Sequence, residues 1–166
     1  LGVNNELDNK RFIYIDGANL DKSTNELGWK IDYHRFFVWL KDRFRFYRAY
    51  IFIGYLARYE NLYMKMRAAG FALIFKDVTS DSHGKIKGNC DADLVMYIMR
   101  DLYENRLTIA VIVSSDGDFS GVINFLIAKG VVVEVVSPSS RCSFLLRKIN
   151  IPINYLGVQR DYISLL

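Results

Sequence analysis

Residues 111–125 read VIVSSDGDFSGVINF, an apolar run that stops at Asp116-Gly117-Asp118 and gives way at once to a second apolar pattern, Phe119, Val122, Ile123 and Leu126. The layout is strand, acidic turn, helix. Two carboxylates two residues apart at the carboxyl end of a buried strand lie where open α/β sheets hold their ligands, and such a pair suits a hard divalent cation. Asp is also a common turn and N-cap residue, so Asp116 and Asp118 taken alone leave a purely structural role open. What shifts the balance is that the chain makes two more acidic turns.

The first of these ends a β-rich run at residues 11–15, RFIYI, with Asp16-Gly17-Ala18-Asn19. Downstream, Asp32 is placed to cap a helix over 33–43, with Phe36, Phe37 and Leu40 on one face. A strand over 50–53 is closed by Gly54. A helix over 58–69 carries Leu62, Met66 and Ala69, stops at Gly70 and leads straight into a strand over 71–75. The pattern then predicts a helix over 90–103, the strand and helix of 111–129, a Val-rich strand over 131–136, a short helix near 142–148 and a brief strand near 153–156. Alternation of helices with near-continuous apolar strands is the signature of a parallel sheet covered on both faces. Residues 76–89, KDVTSDSHGKIKGN, form the only long stretch without a periodic apolar pattern, as functional loops often do. Neither a repeat nor a linker interrupts the chain, so one domain over 1–166 is expected, with its core at about 11–156.

The third acidic turn opens the helix after that loop. At 100° per residue, Leu94, Val95, Ile98 and Leu102 fall on the side of Asp91, whereas Asp93 lies about 160° away, with Tyr97 and Arg100. A carboxylate on the apolar side of a helix is costly unless it is paired or binds a metal. Asp16, Asp91, Asp116 and Asp118 thus all belong to carboxyl ends of strands or to amino ends of the helices that follow, which share one edge of a parallel sheet. Four acids gathered there repel one another, and Mg²⁺ or Mn²⁺ with oxygen ligands relieves that repulsion.

Composition narrows the remaining classes. With 51% apolar and 24% charged residues and two prolines in 166, the chain has what a compact domain needs. No run approaches a membrane span, and LGVNNELDNKRF lacks the layout of a signal peptide. Cys90 and Cys142 form no CxxC pair, which points to a reducing, cytoplasmic setting. His34 and His83 are the only histidines, which disfavours a zinc site or a His-based triad. A net charge of +4 permits nucleic-acid binding, and with several Asp side chains gathered in one pocket the remaining surface is more basic than the sum suggests.

IDGANL (15–20), KGNCDADL (87–94) and VSSDGDF (113–119) together resemble, in order, the three signature segments of the NYN domain, in the LabA branch of the PIN-like nuclease superfamily. The resemblance extends over about 11–156. It implies a Rossmann-like three-layer α/β/α sandwich with a mostly parallel central sheet and a metal-dependent ribonuclease site. Asp16, Asp91, Asp116 and Asp118 match the family's metal-binding acids, and Asn19 and Ser114 match its polar supports; Ser115 and Asp93 are further supporting candidates. Tyr97 departs from the pattern, since many relatives carry another Asp on the same helix, and this leaves the number of cations open.

The expected function is endoribonuclease cleavage of RNA with Mg²⁺ or Mn²⁺ as cofactor. Asp16, Asp91 and Asp116 hold the cation, Asp118 completes the site or takes a proton, and Asn19 contacts the scissile phosphate or a water. Lys85 and Lys87 are candidates for the phosphate backbone. Arg43 and Arg45, interleaved with Phe44, Phe46 and Tyr47, carry the pattern that suits single-stranded RNA, although buried rings beside solvated arginines is the preferred reading of that segment. Two other classes compete: an RNA-binding or regulatory module of the same fold with little turnover, and a metal-dependent phosphatase. The phosphatase wants Asp-x-Asp after its first strand, and the chain has Asp16-Gly17-Ala18 there. RNA is the expected partner, no membrane is, and self-association is left open.

Overall fold

Each of the apolar runs becomes a strand of one sheet in the computed structural model, which describes residues 10–77, 79–80, 86–87 and 90–165. In chain order the elements begin with β1 (Arg11–Asp16), α1 (Gly17–Glu26), α2 (Tyr33–Phe44), β2 (Arg48–Gly54), α3 (Glu60–Ala69) and β3 (Ala72–Lys76). A small antiparallel pair follows, β4 (Thr79–Ser80) and β5 (Ile86–Lys87). The second half holds α4 (Asp91–Tyr103), β6 (Ile109–Val113), α5 (Ser120–Ala128), β7 (Val132–Ser137), α6 (Phe144–Arg147), β8 (Ile153–Tyr155) and α7 (Arg160–Ile163). The central sheet is six-stranded in the order β3-β2-β1-β6-β7-β8, and every neighbouring pair is parallel.

Period-two alternation sorts the strand residues between two cores. Ile13, Ile15, Ile51, Val111 and Val113 face one side, where they meet Leu20 of α1, Phe36 and Leu40 of α2, Tyr63 and Met66 of α3 and Ile163 of α7. Phe12, Tyr14, Tyr50, Phe52, Ala110 and Ile112 face the other, against Leu94 and Ile98 of α4, Ile123 and Leu126 of α5 and Leu146 of α6. The fold is therefore the expected three-layer α/β/α sandwich. Among the described residues no helix is long and apolar enough to cross a membrane.

Most predicted elements are present with ends shifted by one or two residues. Asp32 caps α2 by accepting from the Arg35 N–H at 3.1 Å, and Gly70, at φ 116°, ends α3 in the left-handed region that glycine tolerates. Two helices, α1 and the short α7, have no counterpart in the sequence reading. α1 presents GANLDKSTNE, whose only large apolar residue is the fully buried Leu20, so apolar periodicity carries no signal there. Its start is instead set by Asp16, whose side chain accepts from the Asn19 N–H.

The strand order has one consequence for function. From β1 the chain winds outward through β2 to β3, and α4 then carries it back across to β6, on the other side of β1. Helices leaving β1 and β6 go to opposite faces, since α1 packs in the first core and α5 in the second. A crevice opens between the carboxyl ends of these two strands, at the reversal point where open α/β sheets bind ligands.

Candidate metal centre

The last register pair of β1 and β6 is Ile15 with Val113, so Asp16 and Ser114 emerge side by side at that crevice. Both are buried. The Ser114 hydroxyl donates to Asp16 Oδ2 at 3.1 Å and accepts from the Asp116 N–H at 3.1 Å, tying the two acidic turns together. Asp16 Oδ1 accepts from the Asn19 N–H at 3.0 Å. Asp116 turns the chain by accepting from the Asp118 N–H at 3.0 Å, which opens a single 3₁₀ turn over Gly117–Phe119 before α5 begins. Asn19 Oδ1 in turn receives the Ser115 N–H at 3.0 Å and the Ser115 hydroxyl at 3.1 Å. Asn19 and Ser115 thereby clamp α1 to the β6 turn, a positioning arrangement in which the Asn19 amide oxygen is already engaged.

On this scaffold the carboxylates of Asp91, Asp116 and Asp118 converge, with one ligand oxygen from each lying within 4.8 Å of the others. Asp91 and Asp116 are partly exposed and Asp118 is exposed. Asp16 stands behind this group and is the most secluded of the four, at 7% exposure. Burial holds its carboxyl above the ordinary value; the Asn19 N–H pulls it back, Asp91 pushes it up, Ser114 lowers it and Asp116 raises it again. The structure thus brings three of the four predicted acids into one cluster, with the fourth close enough to feel two of them.

The donor set fits the expected cation. All donors are carboxylate oxygens, the ligands that Mg²⁺ and Mn²⁺ prefer. One oxygen from each carboxylate lies within 4.8 Å of the others, and Asp118 is exposed, so side-chain rotation could bring the three onto one cation.

α4 departs from the expected orientation. Its buried residues are Leu94, Ile98 and Asp101, and Tyr97 also turns toward the sheet, packing edge-on against Tyr50 and Phe52 at 5.3 Å each. When Tyr97 and Asp101 are included, Asp91 and Asp93 flank the buried stripe, about 70° to one side and about 90° to the other. Asp93 is therefore not on the solvent side of the helix. It leans toward β3, where Lys76 Nζ lies 3.3 Å away. The contact is an ion pair outside hydrogen-bond geometry, since Asp93 Oδ2 has no hydrogen-bond partner among the described residues. Both partners are about a third exposed, so the pair is worth at most ~1 kcal/mol. We expect Asp91→Asn to reduce the rise in melting temperature that Mn²⁺ produces, and Asp93→Asn to leave that rise intact. Thermal melts of the two variants with and without Mn²⁺ make the comparison, and a reversed result would move the site to the Lys76 side of the helix.

The predicted cationic residues fare differently. Lys85 and His83 lie outside the described residues, and of Lys87 only the backbone, paired with Thr79, is described. Arg43 and Arg45 are not brought to the site. All strands point the same way, and the segment after α2 leads into the start of β2. The Arg11 side chain, at the start of β1, donates to the Phe44 carbonyl, and the Arg11 carbonyl accepts from the Tyr47 N–H at 2.8 Å. Arg43 and Arg45 therefore sit at the amino edge, opposite the acids. Arg43 pairs with Glu134 at 3.6 Å, Arg45 ends α2 in the left-handed region, and the rings of Phe44 and Phe46 are buried. The core-and-solvent reading of this segment is the one that fits.

Two features of the structure escaped the sequence reading. Ser139 donates its N–H to Ser115 Oγ at 3.1 Å and Ser143 donates its N–H to the Ser115 carbonyl at 3.1 Å, so the segment after β7 buttresses the acidic turn; no local signal announces this. Asp101 is the other. It lies only about 20° around the helix from Leu94, and that periodicity could have placed it on the buried stripe.

Comparison with known proteins bears on the family and the fold. The family model described as NYN domain matches residues 10–149. The fold is shared with a protein of unknown function from Vibrio parahaemolyticus, whose crystal structure superposes with a TM-score of 0.74 at 18% identity, covering 95% of this chain and 97% of that one. No curated protein matches the sequence.

Proposed function

The chain belongs to the NYN domain family, within the PIN-like nuclease superfamily, and from that premise we propose that it is an endoribonuclease dependent on Mg²⁺ or Mn²⁺. The observation that carries the reading is the convergence of Asp91, Asp116 and Asp118 beside the buried Asp16, at the reversal point of the sheet. A divalent cation held there would make water a better nucleophile and neutralise charge developing on the phosphate.

The chain's own residues do the rest. Asp91 and Asp116, at the start of α4 and in the turn after β6, would hold that cation and so set where it stands relative to the sheet. Asp118, exposed at the rim, takes a proton or completes the ligand set. Asp16, with one hydrogen bond accepted at each oxygen, adds negative potential, locks the β1 and β6 turns in register, and keeps lone pairs with which it could join the ligand set. Ser114, Ser115 and Asn19 keep those turns from drifting, which matters because small misplacements cost large factors in rate. The buried, doubly hydrogen-bonded state of Asp16 speaks against a phosphatase in which this residue attacks phosphorus.

The deciding experiment is cleavage of end-labelled, unstructured RNA by the purified protein with Mn²⁺, with Mg²⁺ and with EDTA. We expect internal cuts that need the cation and vanish with EDTA. Cleavage that persists in EDTA, or a wild-type protein that is inert under every cation tried, would overturn the proposal.

A further inference from the structure

From the middle of β7 onward the chain changes character. Residues 135–160 contain Arg141, Arg147, Lys148 and Arg160 and no Asp or Glu. Arg141, Arg147 and Lys148 are exposed, and none of the three pairs with a carboxylate among the described residues. In their midst Phe144 is 66% exposed, an unusual place for a Phe ring. The Arg147 guanidinium lies 5.9 Å from the ring centroid, and its Nε donates to the Cys142 carbonyl at 3.1 Å, which fixes the side chain beside the ring.

This aromatic and cationic group is braced against the site. A Cβ added to Gly117 would fall 2.4 Å from Ser143 Oγ and 3.1 Å from Leu145 Cδ1. The residue between Asp116 and Asp118 therefore touches both chain neighbours of Phe144, and only glycine permits the approach. Serines stiffen the approach from β7: Ser137 Oγ donates to the Ser139 carbonyl at 2.8 Å, and Ser139 Oγ accepts from the Arg141 N–H at 3.0 Å.

We infer that Phe144, with Arg141, Arg147 and Lys148, is a stacking platform for a base of single-stranded RNA next to the scissile phosphate. The inference rests on the ribonuclease reading for the identity of the strand. Charge complementarity selects the occupant: a polyanion with exposed π-faces meets both the cationic side chains of this segment and the presented ring. The strand then runs from the acids onto the α6 side of the crevice, where Arg147 follows the backbone and Phe144 holds a base without reading its identity.

The test is fluorescence anisotropy of a labelled uridine dodecamer with the full chain in EDTA, alongside cleavage of the same RNA in Mn²⁺. Phe144→Ala should weaken binding about tenfold, and Phe144→Trp should restore it. Arg141→Ala with Arg147→Ala should flatten the salt dependence by about 1.4 in logarithmic slope, two phosphate contacts on a single strand. Since all three side chains are exposed, unchanged melting temperatures will show that the variants fold. Binding that Phe144→Ala leaves unaltered would overturn the platform while leaving the ribonuclease reading intact. Binding that depends on Phe144 without any cleavage would support the platform and sink the ribonuclease reading. A wild-type protein that does not bind the RNA at low salt would overturn the platform and assign the patch to another partner, such as a protein.

Discussion

Asp116→Asn should abolish RNA cleavage to within about one part in a hundred or less of wild type, a barrier increase of roughly 3 kcal/mol or more. The substitution is close to isosteric, and an Asn oxygen can still accept from the Asp118 N–H that now bonds Asp116 at 3.0 Å. The turn before α5 should therefore survive, and only the charge is removed. Without metal the variant should be at least as stable as wild type, because Asp116 is one of the charges that push the buried Asp16 carboxyl above its ordinary range and removing it relieves that repulsion. With Mn²⁺ present the order should reverse, since a ligand that binds only the native state stabilises it in proportion to its affinity. Steady-state cleavage and melting curves with and without Mn²⁺ measure all of this. Retention of more than a tenth of the activity would remove Asp116 from the catalytic machinery.

How far the sequence could anticipate this site depends on the range of each interaction. The turns at Asp16 and Asp116 were legible because each Asp ends a near-continuous apolar run, Asp91 because it opens a periodic helix after a polar stretch, and the parallel sheet because those runs alternate with helical spacing. The position of Asp16 beside Ser114 was not, because it follows from the β1 and β6 register, a pairing across some hundred residues that no local pattern encodes. The same limit applies to Arg43 and Arg45, for which buried rings beside solvated arginines was the preferred reading. Their alternation with aromatics is a local signal, but strand direction puts them at the amino edge. α4 shows a subtler failure. Counting only aliphatic residues toward its buried stripe left out Tyr97 and Asp101, and the stripe then came out rotated toward Asp91. The mutual bracing of Ser115, Ser139 and Ser143 joins β6 to the segment after β7, and serines carry no periodic signature at all.

Asp101→Ala should destabilise the protein by about 3–5 kcal/mol, a drop of roughly 6–20 °C in melting temperature for a chain of this size. Asp101 is fully buried and accepts from the Tyr14 hydroxyl at 2.8 Å, from Arg100 at 3.0 Å and from Arg106 at 2.5 Å. Burial first, and the neighbouring Asp101 charge second, raise the Tyr14 hydroxyl far above its ordinary pKa, so it remains a donor wherever the protein is folded. Deleting the carboxylate leaves that buried hydroxyl without its acceptor and leaves two guanidiniums, each about two-fifths exposed, facing each other across the gap. Tyr14→Phe removes one donor only and should cost about 1–2 kcal/mol. Because Asp101 is ten residues along α4 from Asp91, about 15 Å by helical rise, the Mn²⁺-induced rise in melting temperature should persist in Asp101→Ala. Chemical denaturation of the two variants and the wild type gives the three stabilities. If Asp101→Ala melts within a degree or two of wild type, the Tyr14–Asp101–Arg106 contact is not what fastens the far end of α4 to the sheet, and the aromatic packing of Tyr97 on Tyr50 and Phe52 must hold the helix in its place.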